Sequence, residues 1–490
     1  MKNLTALLIL LIALSFQVEA RPKNPLEHQI VSVRVTSQTW NEYRPWQKNK
    51  PRTRTFVGTV ISGNRILMIA DDLADATLIQ VEKYDRPPRI PAQIIHIDHQ
   101  IGLAIITVDD PEFFADLQPV EIAEDTSGED YYCATWMSGQ LSLAACRWSK
   151  TTVFNSSTPY FSYLGILFIS DLSGGWGEPV FSGDQLIGLG ISQREDRVTV
   201  LPVESIRAYL RAVEMDRYPG FAWLGINYQF NKGLAQSAYF GQQGTPRGVL
   251  VLSCFPGSSV DGPLQPNDIL LKLDGHSIDS LGDYVHPRYG PVDLSLIATD
   301  GHYAGDTIDA VVLRNKKEIT VSILLKASMP SSVLIPETRL DTPPPYLVAG
   351  GFVFRELDEL YLKAWGKNWE ENIPAYLRTL LHMQQEEAST PERKHLIVLA
   401  DVFPDEYNMG YHDMAQNIVK SVNGFPIDSI SKMEDALQHP EAGFHVIEFI
   451  PSYGINKVIL DAEHFEEATR SIMEKYQIPS RIRTSGGNTH

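Results

Sequence analysis

Residues 54–70 read RTFVGTVISGNRILMIA, and this stretch indicates how the first part of the chain folds. Two apolar runs of strand length flank the turn residues Ser62, Gly63 and Asn64. Runs of this kind, joined by so short a turn, are typical of an antiparallel hairpin. Similar short segments continue from Ile30 to about Leu210, where an apolar stripe predicts a helix. The spacing predicts an antiparallel sandwich or barrel.

Two further units follow the first. A second set of strands begins after Tyr218-Pro219-Gly220, and a third begins at Tyr346 after a stretch rich in Pro and Ser. The segment NIVKSVNGFPIDSI at 417–430 repeats the pattern of NDILLKLDGHSIDSL at 267–281. This internal similarity indicates a duplicated small module.

Charge and the first residues limit the classes of partner. The chain of 490 residues has 42 basic and 60 acidic side chains, a formal charge of -18. Such a chain repels phosphate backbones, so nucleic acid is not an expected partner. Residues 1–20 combine Lys2, an apolar run and a Val18-Glu19-Ala20 end, which predicts a cleaved signal peptide and export to a periplasm or the exterior. No later run is apolar enough to predict a membrane span.

The order of motifs resembles the Deg/HtrA family, in its plant-type branch. The motifs that carry the resemblance are PWQ (45–47), GTVISGNRIL (58–67), GLAIITV (102–108), GGWGEPVF (174–181), WLGI (223–226), PNDILLKLDG (266–275), VVLRNKKE (311–318), PYLVAGGFVF (345–354) and MGYHDMAQNIVKSVNG (409–424). The resemblance implies a mainly β protein, with a chymotrypsin-like double β-barrel followed by a PDZ domain and a second PDZ-like α/β module.

The implied boundaries divide the chain into six segments. They are a signal peptide at 1–20, a trypsin-like domain at 28–215, a first PDZ domain at 219–328, a linker at 329–345, a PDZ-like domain at 346–465, and a C-terminal helix and tail at 466–490.

All three catalytic positions that the resemblance implies carry unsuitable residues. Asp71 stands at the position of the histidine base, Gly102 at that of the orienting aspartate, and Trp176 at that of the serine nucleophile. Glu178 adds a carboxylate where negative charge would develop. Because triad members act as a unit, the sequence predicts a pseudoprotease with no catalytic residues.

The alternative is a hydrolase with displaced catalytic residues. Ser173 would then be the nucleophile, and Asp71, Asp72, His96 or His99 would supply the base or its carboxylate. Turn chemistry is the simpler explanation for Ser173 and for the two aspartates. His96 and His99 have no further ligand motif, so neither a metal nor any other cofactor is expected.

Cys133 and Cys146 flank the turn at Gly139 and are candidates for a disulfide across a hairpin, with two separate thiols as the alternative. Cys254 lies in the alternating run VLVLSCF, which favours a buried strand thiol.

The second unit carries the predicted binding loop. PDZ domains add extended peptides to a sheet edge and hold the terminal carboxylate with backbone amides. The resemblance puts Trp223, Leu224, Gly225 and Ile226 at that loop, although a purely structural strand start is the alternative. In the third unit, residues 349–352 (AGGF) form a weaker counterpart.

The expected partners are C-terminal or extended peptides, unfolded proteins and an active Deg/HtrA relative. Trp40, Tyr43 and Trp46 near the N-terminus correspond to family aromatics that hold trimers, which implies a homotrimer. Their alternative role is to cover the barrel's own core.

Overall fold

The computed structural model describes residues 24–128, 130–155, 162–170, 174–327, 334–383, 394–450 and 456–484. The predicted signal peptide lies outside these ranges. No helix within them is long and apolar enough to cross a membrane.

Residues 54–70 form the predicted hairpin at the centre of the first sheet. Its strands are β1 Ile30–Ser37, β2 Arg52–Ile61, β3 Arg65–Ile69, β4 Ala76–Lys83, β5 Ile90–Pro91, β6 Gln93–Asp98 and β7 Leu103–Thr107. They pair in the order β5-β4-β1-β2-β3-β7-β6. Thr59 lies opposite Leu67, and the turn between the two strands has Asn64 in the left-handed region with φ 57°.

The second sheet closes on itself. Its strands are β8 Glu121–Ile122, β9 Tyr131–Met137, β10 Gln140–Asn155, β11 Ser162–Ser170, β12 Pro179–Ser182, β13 Gln185–Arg194 and β14 Arg197–Pro202. Their order is β12-β9-β10-β11-β14-β13-β8, and β12 also pairs with β13, which completes a ring. Helix α1 (Val203–Val213) follows and buries Ile206 and Tyr209.

The two sheets share one apolar core. Val57 and Leu67 of the first sheet cluster with Phe181 and Leu189 of the second. The prediction of a mainly β chain is confirmed. The joint between the sheets is where the degenerate catalytic positions lie.

The second unit has an open sheet whose first strand lies at one edge. Its strands are β15 Ile226–Phe230, β16 Val249–Cys254, β17 Ile269–Leu273, β18 His276–Ser277, β21 Thr307–Arg314 and β22 Lys317–Leu324, with a separate hairpin of β19 Asp283–His286 and β20 Gly290–Asp293. The order β15-β16-β17-β21-β22 leaves β15 at the edge. Helix α2 (Leu234–Tyr239) joins β15 to β16.

The third unit has two four-stranded sheets. One has the order β25-β24-β23-β30 and the other β27-β26-β28-β29. The strands are β23 Tyr346–Ala349, β24 Phe352–Glu356, β25 Ile397–Val402, β26 Val419–Val422, β27 Phe425–Pro426, β28 Phe444–Phe449, β29 Lys457–Asp461 and β30 Ile482–Arg483. The helices are α3 Glu359–Lys363, α4 Trp369–Asn372, α5 Ala375–Met383, α6 Ile430–Leu437 and α7 Phe465–Lys475.

Segments that the sequence analysis put outside the third unit pack inside it. Helix α7 buries Phe465 and Ile472, and β30 pairs with β23, although residues 466–490 were expected to follow the module. Leu334 and Ile335, from the expected linker, are buried in the same core. Their apolar side chains help to cover one face of the sheet β25-β24-β23-β30.

The N-terminal aromatics also pack on this unit. Trp46 is only 9% exposed, with its ring 5.6 Å from that of Tyr346, and Tyr43 packs edge-on against Tyr361 at 5.8 Å. These rings therefore cover the third unit. They do not lie in the barrel's own core, and the expected homotrimer stays a prediction.

Candidate functional site

The three degenerate catalytic positions meet at the joint between the two barrels. The Ala70 N–H, next to Asp71, donates to the Gly102 carbonyl at 2.8 Å, which brings the first two positions to the same edge. The Trp176 carbonyl accepts the Val57 N–H at 2.9 Å, which holds the third position against β2. The structure therefore brings Asp71, Gly102 and Trp176 to one cleft.

Trp176 packs between Phe56 and Arg54. Its side chain is 40% exposed and packs edge-on against Phe56, with ring centroids 5.9 Å apart. The Arg54 guanidinium lies 5.2 Å from the indole centroid, and Arg54 Nε is 3.0 Å from Asp72 Oδ2. An indole thus occupies the nucleophile position, and an ion pair lies next to the base position at Asp71; neither offers a nucleophilic hydroxyl.

The loop amides at 174–176 are bonded to the chain's own side chains. Glu178 is 3% exposed, and its Oε2 accepts the N–H groups of Gly175 at 2.7 Å and Trp176 at 2.8 Å. Gln193 Oε1 accepts the Gly174 N–H at 2.5 Å. In an acyl-transfer enzyme, donors of this kind must be directed at the developing oxyanion. Here a carboxylate and an amide oxygen occupy them.

Close packing keeps this loop in place. Gly175 has φ +95°, and a Cβ there would lie within 2.8 Å of the backbone of Ser192 and Gln193. Gly177 has φ +92°, and its Cβ would lie 2.7 Å from the Val57 carbonyl oxygen. Burial raises the pKa of Glu178, while the N–H groups of Trp176 and Gly175 act in the opposite direction.

The two histidines of the alternative hydrolase each contact another side chain of the protein. The surrounding protein desolvates Asp71, although part of it is exposed, and this desolvation and Asp72 raise its pKa. His96 Nδ1 lies 2.9 Å from the Tyr209 hydroxyl, and burial lowers the pKa of His96. His99 Nε2 lies 2.9 Å from Asp341 Oδ2. Ser173 lies outside the described residues.

No group of three or more His, Cys, Asp and Glu side chains within the described ranges is arranged to hold a metal.

The strand register does not favour the candidate disulfide. Cys133 and Cys146 are both buried. The β9–β10 register sets Cys133 opposite Ala144 and Cys146 opposite Tyr131, so the two cysteines are diagonal neighbours. Diagonal positions in a sheet are roughly 7–8 Å apart, beyond the usual disulfide span.

The predicted binding loop of the second unit keeps amides without an internal acceptor. Leu224 and Gly225 donate to no acceptor in the described part of the chain, whereas the Trp223 N–H donates to the Lys326 carbonyl at 2.9 Å. Gly225 has φ +70°, and a Cβ there would lie 2.2 Å from Ser258 Cβ. Ile226 begins the edge strand β15.

The counterpart loop at 349–352 is closed by contrast. The Gly350 N–H donates to Thr469 Oγ1 at 2.9 Å, and the Gly350 carbonyl accepts Asn408 Nδ2 at 2.9 Å. A Cβ on Gly351 would lie 2.3 Å from the same Asn408 nitrogen. The loop is a two-residue turn between β23 and β24, and α7 packs against it through Thr469.

Sequence reasoning missed three residues of the cleft. Gln193 reaches Gly174 across 19 positions, Arg54 joins Trp176 to Asp72, and Asp341 reaches His99 across 242 positions. No local pattern marks them, because each acts through a contact between distant strands or segments.

Comparisons with known proteins agree with the architecture. Residues 335–484 match the family described as PDZ domain. Protease Do-like 4, mitochondrial, of Arabidopsis thaliana is 25% identical over 450 residues, covering 89% of this chain and 81% of the relative. Protease Do-like 2, chloroplastic, of the same plant is 22% identical over 462 residues, covering 92% of this chain and 74% of the relative.

Among solved structures, HtrA-type protease AlgW with decapeptide aligns with a TM-score of 0.47 and 16% identity, covering 63% of this chain and 98% of that one. The relatives are named as Do-like proteases and the matched family is a PDZ domain, which agrees with the resemblance that the order of motifs carries.

Proposed function

We propose that this relative of the Do-like proteases is catalytically inactive and acts as a scaffold or regulator that binds peptides and unfolded proteins. The observation that carries the proposal is the loop at 174–178. Its amides are bonded to Glu178 and Gln193, and its nucleophile position holds Trp176. The relatives are named as proteases, so inactivity is a departure from them that the proposal has to explain.

Three features support inactivity. No hydroxyl stands at the nucleophile position, no imidazole base stands at position 71, and the buried Glu178 carboxylate would repel an oxyanion. Enzymes that lack their triad retain only what oxyanion donors and substrate binding supply. Because Glu178 and Gln193 already accept these N–H groups, the residual rate enhancement that oxyanion donors would supply is also removed.

Peptide binding is proposed for the second unit. The Leu224 and Gly225 amides stand next to the edge strand β15, which gives a carboxylate acceptor site and a strand to pair with in the same place. In the loop at 349–352 the Gly350 amide is bonded to Thr469, so this amide is not available to a peptide carboxylate. Binding at WLGI is therefore favoured over binding at AGGF.

The proposal also includes where the protein acts and which partner it regulates. The first twenty residues support export to a periplasm or the exterior, whereas the names of the relatives refer to mitochondria and chloroplasts. An active Deg/HtrA protease is the proposed regulated partner, because a chain that binds the same peptides without cleaving them competes for substrates.

One experiment on the full chain tests both halves. The purified protein is incubated with an unfolded protein substrate and with a fluorophosphonate probe, then titrated with peptides that have free or amidated C-termini. We expect no cleavage, no labelling and binding of the free carboxylate at roughly micromolar Kd. Labelling or sustained proteolysis would instead establish a hydrolase with displaced residues. Equal binding of amidated peptides would remove the carboxylate site.

A further inference from the structure

The outer face of the third unit contacts residues 40–48 in the way that a binding site contacts a peptide. We call these residues the arm. The arm crosses the sheet β25-β24-β23-β30 and reaches residues about 300 positions away in the sequence, such as Arg355. The contacts fall into a carboxylate site, an aromatic pocket and a backbone contact.

The carboxylate site contains two arginines. Arg355 is 0% exposed, and its Nη1 donates to Glu42 Oε2 at 2.5 Å and to the Glu42 carbonyl at 2.9 Å. Arg339 Nη2 donates to Glu42 Oε1 at 3.0 Å. Asp358 accepts from both arginines, at 2.7 Å from Arg355 Nη2. Without Glu42, two arginines would share one carboxylate in a buried place, so the site is electrostatically incomplete without an acidic ligand.

The aromatic pocket lies beside this site. Trp46 inserts between Tyr346 and Phe403, with centroid distances of 5.6 and 5.9 Å. A large ring that fills a desolvated pocket is the usual anchor of a protein interface. Arg483 closes the site, because its Nη1 donates to the Pro45 carbonyl at 3.0 Å and its guanidinium lies 4.6 Å from the Trp40 ring centroid.

We propose that this face is a recognition site for polypeptide segments with a glutamate followed four positions later by a tryptophan, and that the arm is its internal ligand. The glutamate pairs with Arg355 and Arg339, and the tryptophan enters the pocket of Tyr346 and Phe403. The site is separate from the WLGI loop and does not depend on the proposed peptide binding there. A tethered ligand acts at high effective concentration, so the intact arm keeps competing segments out.

The test uses the full chain and a fluorescent synthetic peptide of residues 38–50. Binding is measured for the wild type, for the arm variants Glu42→Gln and Trp46→Ala, and for Gln47→Ala. The Gln47 side chain is exposed and serves as the matched control. We expect each of the first two variants to bind the peptide at least tenfold more tightly than the wild type and than Gln47→Ala. A peptide carrying both arm substitutions should not bind.

A thermal scan covers the case in which an arm variant loses the fold of the third unit. The peptide added in trans should then raise the melting temperature of that variant and leave the wild type unchanged. Failure of the peptide either to bind or to raise the melting temperature of both arm variants would overturn the proposal, as would equal binding of the doubly substituted peptide.

Discussion

The Glu178 carboxylate accepts the backbone N–H of Trp176 at 2.8 Å, so the residue at the nucleophile position and the group that occupies its amide belong to one loop. The same oxygen accepts the Gly175 N–H. Loss of the nucleophile and loss of the oxyanion donors are therefore structurally coupled. Restoring one without the other is not expected to restore chemistry.

The single substitution Trp176→Ser should give no detectable proteolysis. The new hydroxyl would have Asp71 rather than an imidazole near it, and no base would take its proton. Turnover of an unfolded substrate is measured beside Trp176→Phe, which removes the indole without adding a hydroxyl. Clear turnover by Trp176→Ser alone would mean that another residue supplies the base.

Glu178 should determine whether a rebuilt triad works. Asp71→His, Gly102→Asp and Trp176→Ser restore the three groups, and Gly102 has no heavy atom within 4 Å of an added Cβ. With Glu178 retained, activity should stay at background. With Glu178→Gly added, the freed amides should raise it by about 10²–10³-fold, the usual value of an oxyanion donor. Equal activity of the two versions would show that Glu178 does not obstruct the site.

The stability contributed by Glu178 should decrease as pH rises. Burial raises its folded pKa above the ordinary 4.5, so the folded state binds the proton more tightly than the unfolded state. Stability is then greatest below the unfolded pKa and is lost as pH rises through the folded pKa. Urea unfolding of wild type and Glu178→Gln from pH 4 upward measures the effect. The variant should lose less stability across this window, and parallel curves would contradict the assignment.

Gly225→Ala should weaken binding of a peptide with a free carboxylate by tenfold or more. The added methyl would meet Ser258 Cβ at 2.2 Å and shift the loop that carries the open amides. Gly257→Ala is the matched control, because Gly257 has a similar φ of +77° but open space around its Cβ position. Backbone strain is thus equal and only the steric contact differs. Equal Kd values for both variants would make the loop structural.

All three cysteines should titrate as thiols once the protein is unfolded. Cys133 and Cys146 are buried, and burial raises the pKa of Cys254 to about 11, so each should react slowly with a thiol reagent in the native state. Thiol counting in denaturant without reductant should find three. A count of one would mean that Cys133 and Cys146 are bonded after a shift of strand register.

The hairpin at 54–70 and the alternating segments around it were readable from sequence because strand patterns and turn residues are local. The loss of the triad was readable for a similar reason: each position lies within its own short motif. Only one of the two side chains that accept the loop amides could have been found from the sequence. Glu178 lies two residues from Trp176, but Gln193 reaches Gly174 from the neighbouring strand β13.

By itself, the sequence determined which chemical groups stand at positions 71, 102 and 176, and where the strands and their turns fall, since these depend on residue identity and near neighbours. Only the tertiary structure decided how distant parts meet. Trp46 packs on the third unit, next to the pair of Glu42 with the buried Arg355, which is more than 300 positions away. Which amides remain open, at Gly225 but not at Gly350, likewise depends on whether a distant side chain reaches them.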